Sequence, residues 1–290
     1  MKTILVIIDG CRSDGLEPAK TPNIDHMIKN GAHTLNAQTV TPSITLPAHF
    51  SIFTSLPPIA HNVLTNTGSP NPSSTARSII DVAKDFGKTS AAFYSWEYFR
   101  NLSVPGSLDY SHFINSGSVE NCDIEIAQAA AGYLTFRCPD FCFVYFEGTD
   151  IAGHRAGFMS AEYLDAIETA DTALGIILNA LERANLSDHY NIILHSDHGG
   201  INYHHMENTP EVMTIPWIVF GPGVRQKYII TGKVNIIDTA PTLAGLMDIP
   251  VHHTWQGQAI SEIFKPSVFE TIKSDVSHSE FDLRSFTHYN

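Results

Sequence analysis

The chain has 290 residues, of which 43% are hydrophobic, and a formal net charge of −13 at pH 7. It is long enough and apolar enough for one large globular domain, and its charge per residue is too low for a disordered chain. The negative charge argues against a nucleic-acid polymer or an anionic membrane surface as partner. No run of about 18 apolar residues predicts a membrane span.

Short apolar runs alternate with segments of helical spacing along the chain. Because these runs are continuously apolar, they are typical of strands covered on both faces. The pattern predicts an α/β fold with a mostly parallel central sheet and helices on both faces. Strands are predicted at 3–8, 90–95, 141–146, 190–196 and 215–221. Helices are predicted at 22–30, 47–55, 75–86, 121–136, 160–185 and 238–247, with Ser160 and Asp238 as N-caps of the last two. Residues 1–265 are assigned to one domain, and residues 266–290 to a peripheral or partly ordered tail.

The cysteines and the N-terminus both favour a cytoplasmic location. The chain has four cysteines, which are too few and too scattered for a disulfide framework. We expect structural thiols, with a redox or metal role for Cys138 and Cys142 as the alternative. The first ten residues lack a small-residue cleavage site, so they predict a strand rather than a signal peptide.

Polar side chains follow three of the predicted strands at their carboxyl ends. Taken alone, each Asp is typical of a turn or a helix cap, and each His of a satisfied surface or core residue. In a parallel sheet, however, the carboxyl ends meet at one edge, where these groups would repel one another unless cations lay among them. The set therefore predicts a metal site open to water or substrate, since zinc binds Asp oxygen and His nitrogen. Its members are Asp9, Asp150, His154, Asp197, His198 and His205.

The number of ligands predicts two metal ions. One group is Asp150, His154 and His205, and the other is Asp9, Asp197 and His198. Asp150 and His154 lie four residues apart, which places them on one face of a helical turn. Of the two adjacent histidines near the end of this region, we prefer His205 as the ligand and leave the role of His204 open.

Thr45 is a candidate nucleophile in the stretch 41–50. It precedes Leu46-Pro47 and is therefore expected at a helix N-terminus, where backbone N–H groups and the helix dipole favour an anion. An ordinary N-cap threonine explains the local sequence equally well. A neighbouring two-metal site favours the nucleophile, because a metal activates a weakly acidic hydroxyl.

Five blocks in order along the chain resemble the alkaline phosphatase superfamily, with the type I phosphodiesterase/nucleotide pyrophosphatase family as the closest branch. They are VIIDGCRSD, SITLPAHFSIFTSLPPIAHNVLTN, GTDIAGH, SDHGG and the segment from His205 through IPWIVFGPG. The resemblance covers roughly residues 1–260. It implies an alkaline-phosphatase-like fold with a short cap, and a hydrolase that cleaves phosphodiester or pyrophosphate bonds of small anionic phosphate esters.

The resemblance also implies roles for individual residues. Thr45 matches the nucleophile that forms a covalent phospho-threonine, and Asn66 the residue that donates to a phosphoryl oxygen. Thr45 also joins Asp9, Asp197 and His198 as a ligand of one zinc. The chain departs from the family pattern at Met206 and Asn62, where the family has Gly. Zinc is the expected metal, and Mn²⁺ or Fe would fit the same ligands.

Several alternatives stay open. Thr45-x-Pro47-x-His49 lacks the residues a sulfatase needs. A phosphomonoesterase needs an Arg for the dianionic phosphate; Arg12 is the candidate, unless it pairs with Asp14 or Glu17. A phosphonate hydrolase, a mutase-like activity or a non-catalytic metal- or anion-binding domain are further possibilities. The aromatic segment 94–107 is either a pocket wall that stacks on a base or packing at a strand end. The oligomeric state is not predicted.

Overall fold

The computed structural model describes residues 1–119 and 121–265, so the predicted tail at 266–290 lies outside the described residues. Within them, eight strands form one sheet in the order β4-β3-β5-β1-β6-β7-β2-β8. The strands are β1 (Lys2–Ile8), β2 (Ala32–Gln38), β3 (Ser90–Tyr94), β4 (Tyr110–Phe113), β5 (Phe141–Phe146), β6 (Tyr190–His195), β7 (Thr214–Phe220) and β8 (Tyr228–Ile229).

The sheet is mostly parallel. β1 lies in its centre and pairs in parallel with β5 on one side and β6 on the other. β3 continues the parallel arrangement beyond β5, whereas β7 is antiparallel to both β6 and β2. The carboxyl ends of β5, β1 and β6 therefore meet at one edge, as predicted.

Helices cover both faces of the sheet, which confirms the predicted fold class. They are α1 (Pro22–Asn30), α2 (Thr45–Thr54), α3 (Pro58–His61), α4 (Ile79–Asp85), α5 (Cys122–Arg137), α6 (Gly148–Ala156), α7 (Ala161–Arg183), α8 (Pro210–Met213) and α9 (Thr239–Met247). α2, α4 and α9 pack on one face, against Leu5 and Ile7 of β1. α1, α5 and α7 pack on the other face, against Ile4 and Val6. Both faces of β1 are thus buried, which explains its unbroken apolar run.

Some predicted helix ends were wrong. α2 begins at Thr45, and Ile44 occupies its N-cap position without a side-chain cap. α4 begins only after Ser78, which forms a capping box with Asp81. Asp238 precedes α9, but its side chain does not cap that helix. It instead accepts hydrogen bonds from the backbone N–H groups of Asn235 and Gln258. Ser160 caps α7 as predicted, since its hydroxyl accepts from the Tyr163 N–H.

The described chain contains no helix of the length and apolarity that crossing a membrane requires. All four cysteines are free, and two of them, Cys11 and Cys142, are buried.

Candidate functional site

Asp9, Asp197 and His198 come together where β1 and β6 end, and we call them the inner group. Asp9 directly follows β1, and the other two follow β6. Each contributes one potential ligand atom, and these atoms all lie within 4.8 Å of one another. The His198 Nε2 is 3.4 Å from Asp9 Oδ1 and 3.4 Å from Asp197 Oδ2. All three residues are buried, at 1% exposure or less.

Asp150, His154 and His205 form a second cluster, which we call the outer group. Their potential ligand atoms also lie within 4.8 Å of one another. Asp150 and His154 are one turn apart on α6, with Oδ2 and Nε2 separated by 3.2 Å. His205 comes from the loop before α8. The His154 side chain is 44% exposed, so this group opens to solvent. The two groups touch, because the rings of His198 and His205 stack at 3.8 Å.

The donor atoms of both groups fit metal ions. Among the described residues, Asp9 Oδ1, Asp197 Oδ2, His198 Nε2 and Asp150 Oδ1 are buried and have no hydrogen-bond partner. A buried polar atom without a partner is costly, and a cation bound at this point removes that cost. The structure thus brings together the six Asp and His residues that the sequence predicted as ligands.

The three histidines of the site are oriented by backbone carbonyl groups. The Nδ1 atoms of His154, His198 and His205 lie 2.7, 2.9 and 2.6 Å from the carbonyl oxygens of Tyr203, Gly199 and Ser43. Because a carbonyl only accepts, each Nδ1 carries the proton and donates. Each Nε2 is therefore the ring nitrogen that faces its group, and it can bind a metal ion once it carries no proton.

Without bound cations, the site is electrostatically unfavourable. Burial raises the pKa of Asp9 well above its ordinary value, and the neighbouring carboxylates Asp197 and Asp150 raise it further. Burial also raises the pKa of Asp197. Burial, followed by the nearby His198, lowers the pKa of His205 to about 4. Clustered carboxylates and neutral imidazoles of this kind are a metal-binding environment.

Thr45 is the first residue of α2 and is linked to the inner group through His49. The buried imidazole of His49 lies one turn further along the same helix. Its Nδ1 is 2.8 Å from the Thr45 carbonyl oxygen and 3.6 Å from Asp197 Oδ2. The backbone at the start of α2 is thus linked through His49 to a carboxylate of the inner group, and Thr45 is the first residue of that helix.

Asn66 reaches the same helix end from the loop after α3. Its Oδ1 accepts a hydrogen bond of 2.9 Å from the N–H of Leu46, the residue after Thr45. This bond occupies the oxygen of the side-chain amide. The NH₂ group of the same amide is then the part of the side chain that can donate to a ligand.

Two residues that support the inner group, Tyr145 and His49, were not predicted from the sequence. The hydroxyl of Tyr145, on β5, donates a hydrogen bond to Asp9 Oδ2. Its ring packs edge-on against His49, at a centroid distance of 5.4 Å. Both side chains are buried in the core. Tyr145 lies in an apolar strand and so has no sequence signal beyond that of a core aromatic residue.

Arg12 and His204 lie outside both groups. The Arg12 guanidinium pairs with Asp14, with Nε–Oδ1 at 2.8 Å and Nη2–Oδ2 at 2.6 Å, and its Nη1 donates to the Gly200 carbonyl. This is one of the pairings that the sequence allowed. His204 is half-exposed, and its Nε2 is 3.9 Å from a Glu207 carboxylate oxygen.

The aromatic segment 94–107 packs against the loop that carries Asn66. The ring of Tyr98 covers Gly68 so closely that a Cβ atom there would lie 3.2 Å from it. Trp96 and Tyr98 contact each other at a centroid distance of 4.8 Å and are both half-buried. The segment thus lies against the loop that carries Asn66, and both sequence interpretations of it, a pocket wall and packing at a strand end, stay predictions.

Comparisons with known proteins show which family the chain resembles. The family model described as type I phosphodiesterase / nucleotide pyrophosphatase matches residues 3–219. The chain is 29% identical over 215 residues to ectonucleotide pyrophosphatase/phosphodiesterase family member 3 of Rattus norvegicus. It is 30% identical over 217 residues to family member 1 of Homo sapiens. These alignments cover 68% of this chain but 24% and 23% of the relatives, so the chain spans about a quarter of their length.

Solved structures show the same fold. A murine ectonucleotide pyrophosphatase / phosphodiesterase 5, an inactive variant in complex with AMP, superposes with a TM-score of 0.75 at 18% identity, covering 91% of this chain and all of that one. A 2-O GAG sulfatase superposes with a TM-score of 0.73 at 14% identity, covering 93% of this chain and 74% of that one. At such identities the likeness concerns the fold alone, so the fold by itself does not separate phosphodiesterases from sulfatases.

Proposed function

Because the chain belongs to the type I phosphodiesterase / nucleotide pyrophosphatase family, we propose that it is a two-metal hydrolase of phosphodiester or pyrophosphate bonds that acts through a phospho-threonine on Thr45. The observation that carries the proposal is the pair of three-residue groups at one sheet edge, with orphaned donor atoms in both. The link from Thr45 through His49 to Asp197 supports a site that combines a nucleophile with two places for cations.

We assign each group of residues one metal ion. When bound, two divalent cations supply Lewis-acid stabilisation for the attacking and leaving oxygens. Zinc is the metal we propose, because His nitrogen and Asp oxygen are among its usual ligands; Mn²⁺ or Fe fit the same set. The inner group, together with Thr45, holds one ion and the outer group holds the other.

The chemistry takes place in two steps. Attack by Thr45 Oγ1 forms an Oγ1–P bond and breaks the P–O bond to the leaving group, and the proton lost by the threonine hydroxyl ends on the leaving-group oxygen. In the second step a water oxygen forms a bond to phosphorus and the Oγ1–P bond breaks. This releases the phosphate product, and a proton of the water restores the hydroxyl. The Asn66 NH₂ group donates to a non-bridging phosphoryl oxygen, where charge develops in both steps.

The structure favours a diester or pyrophosphate over a monoester. A dianionic phosphate needs a dedicated cation, and the candidate, Arg12, is already paired with Asp14 and the Gly200 carbonyl. The AMP complex of the murine relative supports a nucleotide ester as substrate. The half-buried rings of Trp96 and Tyr98 are available to stack on a base. A cytoplasmic location stays a prediction.

Turnover of bis-p-nitrophenyl phosphate and of the monoester p-nitrophenyl phosphate tests the proposal. We expect faster turnover of the diester, and loss of turnover after chelation with recovery on adding zinc. A preference for the monoester supports a phosphomonoesterase instead. Bound zinc without turnover of either compound supports a non-catalytic binding domain.

Substitution of the nucleophile tests the intermediate. Thr45→Ala should lower diester turnover at least roughly 10³-fold while both metal ions remain bound. Thr54→Ala is the matched control, because Thr54 is a buried threonine of the same helix whose hydroxyl bonds the Phe50 carbonyl, at the opposite end. Undiminished turnover in Thr45→Ala removes the phospho-threonine from the proposal.

A further inference from the structure

α6 supplies two of the three outer-group residues, and its first turn is held from outside the helix. Asp150 lies in that first turn, and His154 follows one turn later. Glu147, at the N-cap position, makes no side-chain cap. Its carboxylate instead accepts a hydrogen bond of 2.8 Å from the Ser95 hydroxyl. The N–H groups at the start of α6 therefore need another acceptor.

Asp123, on the separate helix α5, is that acceptor. Its Oδ1 accepts from the Glu147 N–H at 3.0 Å, and its Oδ2 from the Gly148 N–H at 3.2 Å. Gly148 makes this approach possible, since a Cβ atom there would lie 2.7 Å from Asp123 Oδ2. One carboxylate thus bridges two helices and binds consecutive amides two and three residues before Asp150.

Burial makes this carboxylate costly. Asp123 is 3% exposed, and burial raises its pKa to about 7 despite the two backbone hydrogen bonds. The neighbouring Glu147 carboxyl adds to the unfavourable charge. A buried acid is weak evidence for a stability role, because an apolar side chain of similar size often serves stability as well or better.

We propose that Asp123 is a positioning residue for the outer group: it fixes the first turn of α6 so that Asp150 and His154 face His205. The inference rests on the proposed function only in taking the outer group to bind a metal ion. It adds a residue from α5, which contributes no ligand, to the determinants of outer-site affinity. Its effect passes through the backbone of α6, not through contact with the ion.

Zinc affinity of the purified chain, measured by competition with a chromophoric chelator, tests the proposal. Asp123→Ala should weaken one of the two sites by roughly 10- to 100-fold and leave the other unchanged. Asp123→Asn retains one acceptor oxygen and a similar volume, so we expect a smaller loss at the same site. Asn therefore also serves as the variant that folds if Ala does not.

Asp81 provides the matched control. It is a buried Asp whose carboxylate accepts backbone N–H groups of Ser78 and Val104 at 3.1 and 3.0 Å, at the start of α4. Asp81→Ala removes a comparable cap without touching α6, so both zinc affinities should stay at the wild-type value. Equal weakening in Asp81→Ala and Asp123→Ala would reduce Asp123 to a general stability role and overturn the proposal.

Two further readouts do not depend on turnover. In the metal-free chain, hydrogen exchange of the amides of Glu147 and Gly148 should be faster in Asp123→Ala than in wild type. Asp123 also borders a cavity of about 440 Å³, so formate added to Asp123→Ala should restore part of the zinc affinity. Formate should leave the wild-type affinity unchanged.

The outcomes separate this inference from the proposed function. Two wild-type zinc affinities and unaltered amide exchange in Asp123→Ala would overturn the inference and leave the hydrolase proposal intact. Conversely, a chain that binds two zinc ions, loses one site in Asp123→Ala and turns over no phosphate ester would remove the hydrolase proposal alone.

Discussion

The inner and outer groups have similar donor atoms but different supports. The inner group follows two central strands, and its side chains are at most 2% exposed. The outer group lies on a nine-residue helix and a loop, and its His154 side chain is 44% exposed. A strand end in the middle of a sheet moves less than a surface helix and loop, so the inner group is the more rigid. We infer that the inner group would hold a cation more tightly than the outer group.

Substitution of one predicted ligand in each group should give the largest difference in turnover between the two groups. Asp197→Ala should abolish cation binding at the inner group. It should also lower diester turnover at least roughly 10³-fold, because Thr45 then loses the metal ion that activates its hydroxyl. His154→Ala should lower turnover less, by roughly 10- to 100-fold, because His154 is a solvent-exposed ligand of the group that does not activate Thr45. Metal content and kcat of both variants give the comparison. A larger loss in His154→Ala would reverse our order of the two groups.

During gradual metal removal, the two groups should lose their ions at different rates. We expect a chelator to withdraw the outer ion first, because its ligands are exposed and its helix opens more readily. Zinc release and residual turnover are measured in the same experiment, and we expect zinc to be released in two phases. Release of both ions in a single phase would show that the two groups behave as one unit.

Tyr145→Phe should change metal affinity at the inner group alone. The variant keeps the ring but deletes the hydroxyl that bonds Asp9 Oδ2. We expect roughly 10-fold weaker zinc binding at the inner group and no change at the outer one. Tyr190→Phe is the control, because Tyr190 is also a buried tyrosine, and its hydroxyl bonds the Pro139 carbonyl away from the site. Equal effects of the two substitutions would argue against a role of Tyr145 at the site.

The smallest expected effect is a pH dependence confined to the outer group. In the metal-free chain, the hydrogen bond with Asp150 raises the pKa of His154 from 6.5 to about 9. A raised pKa in the folded state means that this pair stabilises the fold fully below pH 6.5 and loses its contribution as pH rises through 9. We therefore expect the Tm of the metal-free chain to fall over that interval. His154→Asn should lose this component of the pH dependence.

Zinc binding at the outer group should have the opposite pH dependence. The ion must displace the His154 proton, so outer-site affinity should rise with pH up to about 9. An outer-site affinity that is constant between pH 6.5 and 9 would contradict the raised pKa of His154.

The strand ends that carry the site could be predicted because their signal is local. β1, β5 and β6 are continuous apolar runs, each followed by carboxylates or imidazoles. β2 was not predicted, since the run AHTLNAQ contains few large apolar residues and is only partly buried. β4 and β8 are short and lie at the two edges of the sheet, where hydrophobic patterning is weakest.

The supports of the site could not be predicted, because they depend on tertiary contacts. The acceptors for the three imidazole Nδ1 atoms are backbone carbonyl groups, which every sequence contains. Asp123 is a first-turn acid of α5 and is unremarkable in the sequence, since its two bonds run to a different helix. The role of Tyr145 is hidden in the same way within an apolar strand.

The central position of β1 determines when the site can form during synthesis. β1 comes before its sheet neighbours β5 and β6, which begin only at Phe141 and Tyr190. The strand must therefore remain without these partners until they are translated, with both apolar faces available to chaperones. The last predicted ligand, His205, follows later still. Ribosome-bound chains that end before this residue should bind zinc only incompletely, so metal loading is complete only after His205 has been translated.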